Sequence, residues 1–267
     1  MITRTTISAC VLTLLLASAA HAADIEETTA VSDYGDSDLV IDLGVAGVAS
    51  PEYMGSDSYS ITPLPTVSVE YLNIPGIGSF GGKDGLGFSI GPSFGYTGKR
   101  DASDHRALNG LDDVDATYEA GIKLGYEWNA AEVYGAARYA FGGAEGFVGE
   151  VGANAILRPT PTLELKAGPI ARFASADYVD SYFGVSAAES AASGGRLSAY
   201  DAGGGFTSAG VAASARYEVV SDWFVNADAS YEKIVGDAAD SPIVAAGDEN
   251  QFSFKLGVSH RFRLDLF

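Results

Sequence analysis

The sequence is almost free of cysteine, because Cys10 is the single one among 267 residues. Cys10 lies within a short apolar stretch near the N-terminus that we interpret as part of a cleaved leader. A mature chain without that leader has no thiol. It can form no disulfide in an oxidising compartment, and thiol chemistry is excluded.

Long apolar runs are also missing, and no segment reaches the roughly 18 apolar residues that a membrane-spanning helix needs. The apolar residues 7–16 are too few to span a bilayer. They follow Arg4 and precede Ala20-His21-Ala22, an A-x-A cleavage pattern. The sequence therefore predicts a signal peptide over residues 1–22, a mature chain starting at Ala23, and export from the cytoplasm.

Basic residues are scarce: 16 Lys and Arg stand against 35 Asp and Glu, giving a net charge of −19. Nucleic-acid binding depends on clustered Lys and Arg that neutralise phosphates. The charge balance excludes a nucleic-acid partner.

The most prominent pattern in the chain is a strict alternation of apolar and polar residues. It extends over more than ten residues near the C-terminus, where the polar partners are Gln251, Ser253, Lys255, Ser259 and Arg261. Period-2 patterning indicates a strand with one apolar and one polar face. Strands of about 9–11 residues with two such faces are typical of transmembrane β-barrels. The apolar positions of this last strand are Phe252, Phe254, Leu256, Val258, His260, Phe262 and Leu264.

The same alternation recurs along the chain and predicts an all-β fold, a transmembrane antiparallel up-and-down β-barrel of ten to twelve strands over residues 39–267. An acidic N-terminal segment, residues 23–38, precedes it. Ten strands result if 76–96 forms one bent strand; twelve require that segment to split and a further strand to form within 177–204. The other predicted strands are 39–49, 61–71, 86–96, 114–128, 133–141, 147–157, 163–173, 209–219 and 223–235.

Four prolines, Pro63, Pro65, Pro92 and Pro169, fall inside these predicted strands. Proline cannot donate a ladder hydrogen bond. We expect bulges or strand ends at these positions.

Connection lengths predict the orientation of the barrel. Short connections should be periplasmic and long polar ones extracellular, which places both termini in the periplasm. The short ones are 129–131, 159–161 and 221–222, and the long ones are 50–60, 97–113, 177–204 and 236–249.

Acidic and basic residues are nearly balanced on the predicted lumen faces. A mixed-sign interior predicts ion pairs that fill a closed or narrow barrel rather than a ring of one sign that would select ions. The acids are Asp42, Glu70, Asp115, Glu119, Glu127, Glu132, Glu150, Glu164, Glu218, Asp228 and Glu232, and the bases are Lys123, Arg138, Arg158, Lys166, Arg172, Arg216, Lys255 and Arg261.

No motif of an enzyme, a cofactor site or a metal site is present. The sequence lacks a G-x-S-x-G elbow, an H-E-x-x-H helix and a C-x-x-C pair. His105 is interpreted as a residue of a solvated polar loop, and His260 as an aromatic residue at the membrane interface. We predict a protein that is not an enzyme and that binds no cofactor and no metal.

Several loop segments, taken in order, resemble the MipA/OmpV family of outer-membrane proteins over residues 39–262. They are Pro51-Glu52-Tyr53-Met54-Gly55-Ser56, Tyr182-Phe183-Gly184-Val185 and Gly236-Asp237-Ala238-Ala239-Asp240-Ser241-Pro242-Ile243-Val244. The resemblance implies an integral protein of the Gram-negative outer membrane, in contact with lipid and lipopolysaccharide. It also implies a scaffold that links a lytic transglycosylase to a peptidoglycan synthase in cell-wall assembly.

An alternative function is a small porin-like channel or a surface-exposed antigen or adhesion protein. Two turn-rich loops are the interaction candidates under either hypothesis. The predicted topology places them outside the cell, whereas enzymes that act on the cell wall work in the periplasm. Either cell-wall enzymes contact the periplasmic turns and segment 23–38, or the barrel has the opposite orientation in the membrane, with these two loops in the periplasm. The candidate residues are Pro51, Tyr53, Gly55, Ser56, Gly236, Asp237, Ser241 and Pro242.

Overall fold

A computed structural model describes residues 37–76, 78–80 and 86–266. The predicted signal peptide and residues 23–36 of the acidic segment lie outside the described residues. Eleven antiparallel strands make up most of the described chain. They are β1 (Leu39–Pro51), β2 (Tyr59–Ile74), β3 (Gly78–Phe80), β4 (Gly87–Thr97), β5 (Thr117–Trp128), β6 (Ala131–Gly142), β7 (Gly146–Thr160), β8 (Leu163–Ala174), β9 (Gly205–Val220), β10 (Trp223–Ile234) and β11 (Asn250–Leu264).

The strands form a single sheet in which neighbours in sequence are neighbours in space. The order is β3-β2-β1-β11-β10-β9-β8-β7-β6-β5-β4, so that the first strand pairs with the last. In the described part of the chain, no ladder joins β2 or β3 to β4. The sheet is thus a nearly closed up-and-down barrel with one seam, and the predicted fold class is confirmed.

The eleven described strands fall within the predicted range of ten to twelve, and β3 and β4 run in the same direction. β3 is antiparallel to β2, and β4 is antiparallel to β5. Following the pairings around the sheet places both parallel to β1. They are separate strands, and residues 81–85 between them lie outside the described ones. The segment 177–204 contributes no further strand.

The position of the seam explains why three of the four prolines are tolerated inside strands. Pro63 and Pro65 lie in β2 and Pro92 in β4, the two strands that flank the seam, and all three keep register without a bulge. An edge strand tolerates a missing N–H group, so the expectation of bulges there is wrong. Pro169 lies inside β8 and pairs in register with Val211 of β9, and the β7–β8 register is the same on both sides of it, so the expectation of a bulge or strand end is wrong here too.

The outer face of the barrel is apolar and carries aromatic rings near both ends. This exposed surface is suited to lipid, and aromatic girdles at both interfaces are typical of transmembrane barrels. No helix in the described part of the chain is long and apolar enough to cross a membrane. The exposed rings at one end are Phe88, Tyr126, Trp128, Tyr217, Trp223 and Phe262, and those at the other are Tyr96, Tyr118, Tyr139, Phe141, Phe147, Phe173, Phe206, Tyr231 and Phe252.

The two ends of the barrel differ in their connections. Residues 129–130, 161–162 and 221–222 form tight turns at the end where β1 starts and β11 finishes, which we call the turn end. All the longer connections lie at the opposite, loop end, as predicted from sequence. They carry three short helices, α1 (Ala176–Phe183), α2 (Ala187–Ala192) and α3 (Pro242–Ala245).

Candidate functional site: a charged lumen under a folded cap

The barrel encloses a polar cavity of about 1380 Å³ that runs along most of its height. Inward-facing side chains line it because alternate residues of every strand point to the interior. The charged side chains there form ion pairs between adjacent strands and also between strands that are not adjacent in the sheet, and most of the predicted lumen residues take part. Asp115 is an exception, since β5 begins only at Thr117 and Asp115 lies in the preceding loop. Its assignment to the lumen face is wrong.

One cluster of charges surrounds the buried Asp42, near the turn end. Its carboxylate accepts hydrogen bonds from Arg216 and from Arg261, whose Nε lies 3.0 Å from Oδ1. Glu70 lies 3.5 Å from Arg216 and 3.7 Å from Arg261. Both guanidinium groups also rest on the ring of Phe224. Four charges and one aromatic ring therefore fill this part of the lumen.

A second network joins β5, β6, β7 and β8. Lys166 Nζ lies 2.9 Å from Glu127 and 2.8 Å from Glu132, and Arg158 bridges Glu127 and Glu164. Paired charges of opposite sign offset the cost of removing each from water. The predicted ion-paired interior is present here.

Nearer the loop end the pairing continues with two arginines. Arg138 Nε donates to Glu119 at 2.7 Å, with both side chains buried. Arg172 bridges Glu150 at 2.8 Å and Glu232 at 2.9 Å. These groups sit directly beneath the cap formed by the long connections.

The cap closes over the mouth of the barrel and is anchored by α1. Its residues Tyr178, Val179, Tyr182 and Phe183 are each 4% exposed or less. Tyr178 and Phe183 also line the lumen cavity from above. They pack in one apolar cluster with inward-facing residues at the upper ends of the strands, Ala140, Val148, Ala174 and Ile234.

Hydrogen bonds fasten α1 to the wall below it. Tyr178 Oη donates to Glu119 at 3.1 Å, and Tyr182 Oη donates to Thr117 Oγ1 at 2.7 Å. Burial, followed by the neighbouring charge of Glu119, raises the pKa of the Tyr178 hydroxyl. Tyr178 therefore stays neutral and continues to donate throughout the physiological range.

The structure brings the two predicted interaction loops together in this cap. Gly55, at φ +90°, lies directly against Val244, and its carbonyl accepts a hydrogen bond from Asp248 N at 2.8 Å. Ser241 Oγ donates to the Phe183 carbonyl at 2.6 Å. Contacts between loops that are nearly 200 residues apart in sequence therefore build the cap.

The eight interaction candidates differ in accessibility. Tyr53, Gly55, Ser56 and Ser241 are buried within the cap, and their packing gives them a structural role whatever else they do. Pro51 and Pro242 are half-buried. Gly236 and Asp237 are exposed at the loop end.

The two histidines of the described chain lie where the sequence indicated. His105 is in the β4–β5 connection, with Nδ1 3.3 Å from Glu52 and its ring 4.9 Å from that of Tyr53. His260 is on the outer face at the turn end, packed between Trp223 and Phe262. The described residues contain no group of three His, Cys, Asp or Glu side chains that could hold a metal ion.

Sequence reasoning missed that the segment 177–204 folds as a packed cap rather than a polar loop. A signal was present: Tyr178, Val179, Tyr182 and Phe183 recur at i, i+1, i+4 and i+5, the spacing of one helix face. α2 also begins with a capping box, in which Ser186 and Glu189 bond each other's backbone N–H groups.

Glu189 makes the attachment of α2 sensitive to acid. Burial raises the pKa of its carboxyl, but hydrogen bonds from the Asp112 and Ser186 N–H groups outweigh this and lower the pKa below its ordinary 4.5. A depressed pKa contributes stability above the unfolded value and loses it as the pH falls through the folded value. Because the side chain is partly exposed, we expect a loss of less than about 1 kcal/mol.

Hydrogen-exchange protection of the Asp112 and Ser186 amides measures this effect. Protection corrected for intrinsic rates should fall between pH 5 and pH 3. Glu189→Gln is the matched control, whose protection should not depend on pH in this range. The same pH dependence in both proteins would show that another group is responsible.

Comparison with known proteins matches residues 43–262 to the sequence profile of the family described as MltA-interacting protein MipA. No curated protein matches the chain. Similar solved structures include the N-terminal β-barrel domain of Pseudomonas aeruginosa OprF, 15% identical over 66% of this chain and 96% of that one, with a TM-score of 0.30. Yersinia pestis Ail is 13% identical over 85% and 99%, with a TM-score of 0.28. The NanC porin is 10% identical over 83% and 98%, with a TM-score of 0.36.

The profile match covers the barrel from β1 to β11 and includes every cap segment on which the sequence resemblance rested. The nearly closed barrel, its apolar outer face and its aromatic girdles agree with that match. The chain belongs to the MltA-interacting protein MipA family.

Proposed function

We propose that the protein is an integral outer-membrane barrel that serves as a non-catalytic docking scaffold for a lytic transglycosylase of the cell wall, joined there by a peptidoglycan synthase. The observation that carries the proposal is a lumen whose charged side chains are paired with one another and whose mouth is covered by a packed cap. Paired charges and a covered mouth favour a barrel that does not conduct solutes. The family is named for its interaction with MltA, and this supplies the class of partner.

The proposal includes export through the signal peptide at residues 1–22. It also includes an outer face in contact with lipid and lipopolysaccharide. Since short turns face the periplasm in bacterial barrels, the turn end faces the cell wall. The docking surface is then the turn end together with segment 23–38. The exposed candidates Gly236 and Asp237 are at the opposite end.

Site-specific photocrosslinking in intact cells tests the docking surface. A photoreactive residue at Ala130 or Thr162, both exposed at the turn end, should give adducts with a lytic transglycosylase. The same residue at Asp237 or Ala188, exposed at the loop end, should give none. Adducts from Asp237 alone would show that the partner docks on the predicted interaction loops. The loop end, and not the turn end, would then face the periplasm. Failure at all four positions would refute docking at the turn end.

A narrow channel is the second candidate function, and the lumen cavity of about 1380 Å³ is the observation that favours it. Vesicle conductance separates the two, because a scaffold needs no solute flux. Steady conductance of the unaltered, folded protein would favour the channel.

A further inference from the structure

A groove of about 600 Å³ crosses the outer surface of the cap, separate from the lumen. It lies between the β4–β5 connection, α1, α2 and residues 199–201. A two-residue bridge between Arg100 and Val114 sets its floor, with N–H to carbonyl distances of 2.8 and 3.0 Å. Small-molecule sites commonly have volumes of 300–1,000 Å³.

Arg100 lies at the floor of this groove as a buried cation that no carboxylate contacts directly, although the charges of Glu189 and Asp113 act on it from a distance. Its side chain is 4% exposed, and no carboxylate of the described residues lies within ion-pair distance of it. Nη1 donates to the Tyr182 carbonyl at 2.8 Å, while Nε has no acceptor. Burial lowers the pKa of the guanidinium, but arginine remains charged. A buried, incompletely bonded cation is costly unless an anion pairs with it.

Most carboxylates around the groove are engaged by backbone N–H groups. Glu189 accepts from Asp112 N and Ser186 N, Asp113 from Ala102 N, and Asp180 from Ala202 N. Bonded in this way, they build the walls of the groove and do not reach Arg100.

Two carboxylates on the rim remain available. Asp112 and Asp201 line the groove and are exposed, and neither side chain has a hydrogen-bond or ion-pair partner among the described residues. The groove therefore offers one buried positive charge at its floor and two accessible negative charges at its edge.

We propose that this groove binds a small zwitterion, an amino acid or short peptide, with its carboxylate on Arg100 and its ammonium group towards Asp112 and Asp201. A planar guanidinium matches a carboxylate in geometry and charge. An ammonium group needs only nearby acidic oxygens with no fixed geometry. The site is independent of docking at the turn end.

Calorimetric titration of the folded protein in nanodiscs tests the proposal with three matched probes. Glycylglycine carries both charges, N-acetylglycylglycine only the carboxylate, and glycylglycinamide only the ammonium group. Glycylglycine should bind saturably at one site, and each single-charge probe should bind at least about tenfold more weakly. Equal affinity for glycylglycine and either single-charge probe would overturn the proposal, as would the absence of saturable binding.

Variants locate the binding. Arg100→Met should weaken glycylglycine binding by at least about thirtyfold, since a buried charged contact is lost. The double variant D112N/D201N should weaken it by about threefold or more, and Asp57→Asn, an exposed acid away from the groove, should leave it unchanged. If Arg100→Met fails to fold, the double variant decides: unchanged affinity in it overturns the proposal.

Discussion

Asp42→Asn is expected to lower the free energy of unfolding by about 3–5 kcal/mol, the largest effect of any single lumen substitution. The Asp42 side chain is 4% exposed and is shared by Arg216 and Arg261. Removing its charge takes away the carboxylate that the two guanidinium groups share. An unbalanced buried charge costs far more than the pair contributed.

Unfolding by urea in lipid vesicles, followed by heat-modifiable gel mobility, measures this loss. Asp228→Asn is the matched control, because Asp228 also faces the lumen and pairs with Lys255 at 3.1 Å, but both side chains are about two-fifths exposed. Solvent screens that pair, so its loss should cost less than about 1 kcal/mol. Similar losses in the two variants would mean that water reaches Asp42 freely and that the lumen is not tightly packed there.

The barrel wall was predictable from the sequence because alternate residues of a strand point to opposite faces of the sheet. Phe254 and Leu256 face outward and Lys255 inward, as their alternation required. The same alternation identified Asp42 and Arg261 as lumen residues. It could not pair them, because they are 219 residues apart and meet only when β1 closes on β11.

The cap was not predictable in the same way. α1 is eight residues long, too short for its helical spacing to stand out within a long, polar connection. Its burial also depends on small inward-facing residues such as Ala140 and Ala174, which belong to distant strands. The Arg100 groove is assembled from three connections, β4–β5, β6–β7 and β8–β9, so no local sequence motif predicts it.

Phe183→Ala is expected to open the cap and raise the conductance of protein-containing vesicles above that of the unaltered protein. Phe183 is 2% exposed, belongs to the apolar cluster of the cap and lines the cavity beneath it. Truncating a buried phenylalanine costs about 3–5 kcal/mol. Because the strand ladders hold the wall independently of the cap, the loss falls on the cap, whose own stability rests on few such contacts.

Limited proteolysis of segment 175–204 and single-channel recording should report the change together: faster cleavage and new conductance. Phe206→Ala is the matched control, since Phe206 lies at the same height on the outer face and is 59% exposed. It should alter neither. If Phe183→Ala speeds cleavage without raising conductance, the paired charges of the lumen alone block ions, and the cap serves another purpose such as forming the groove above it. If the unaltered protein already conducts, the lumen is a channel and the scaffold proposal gives way.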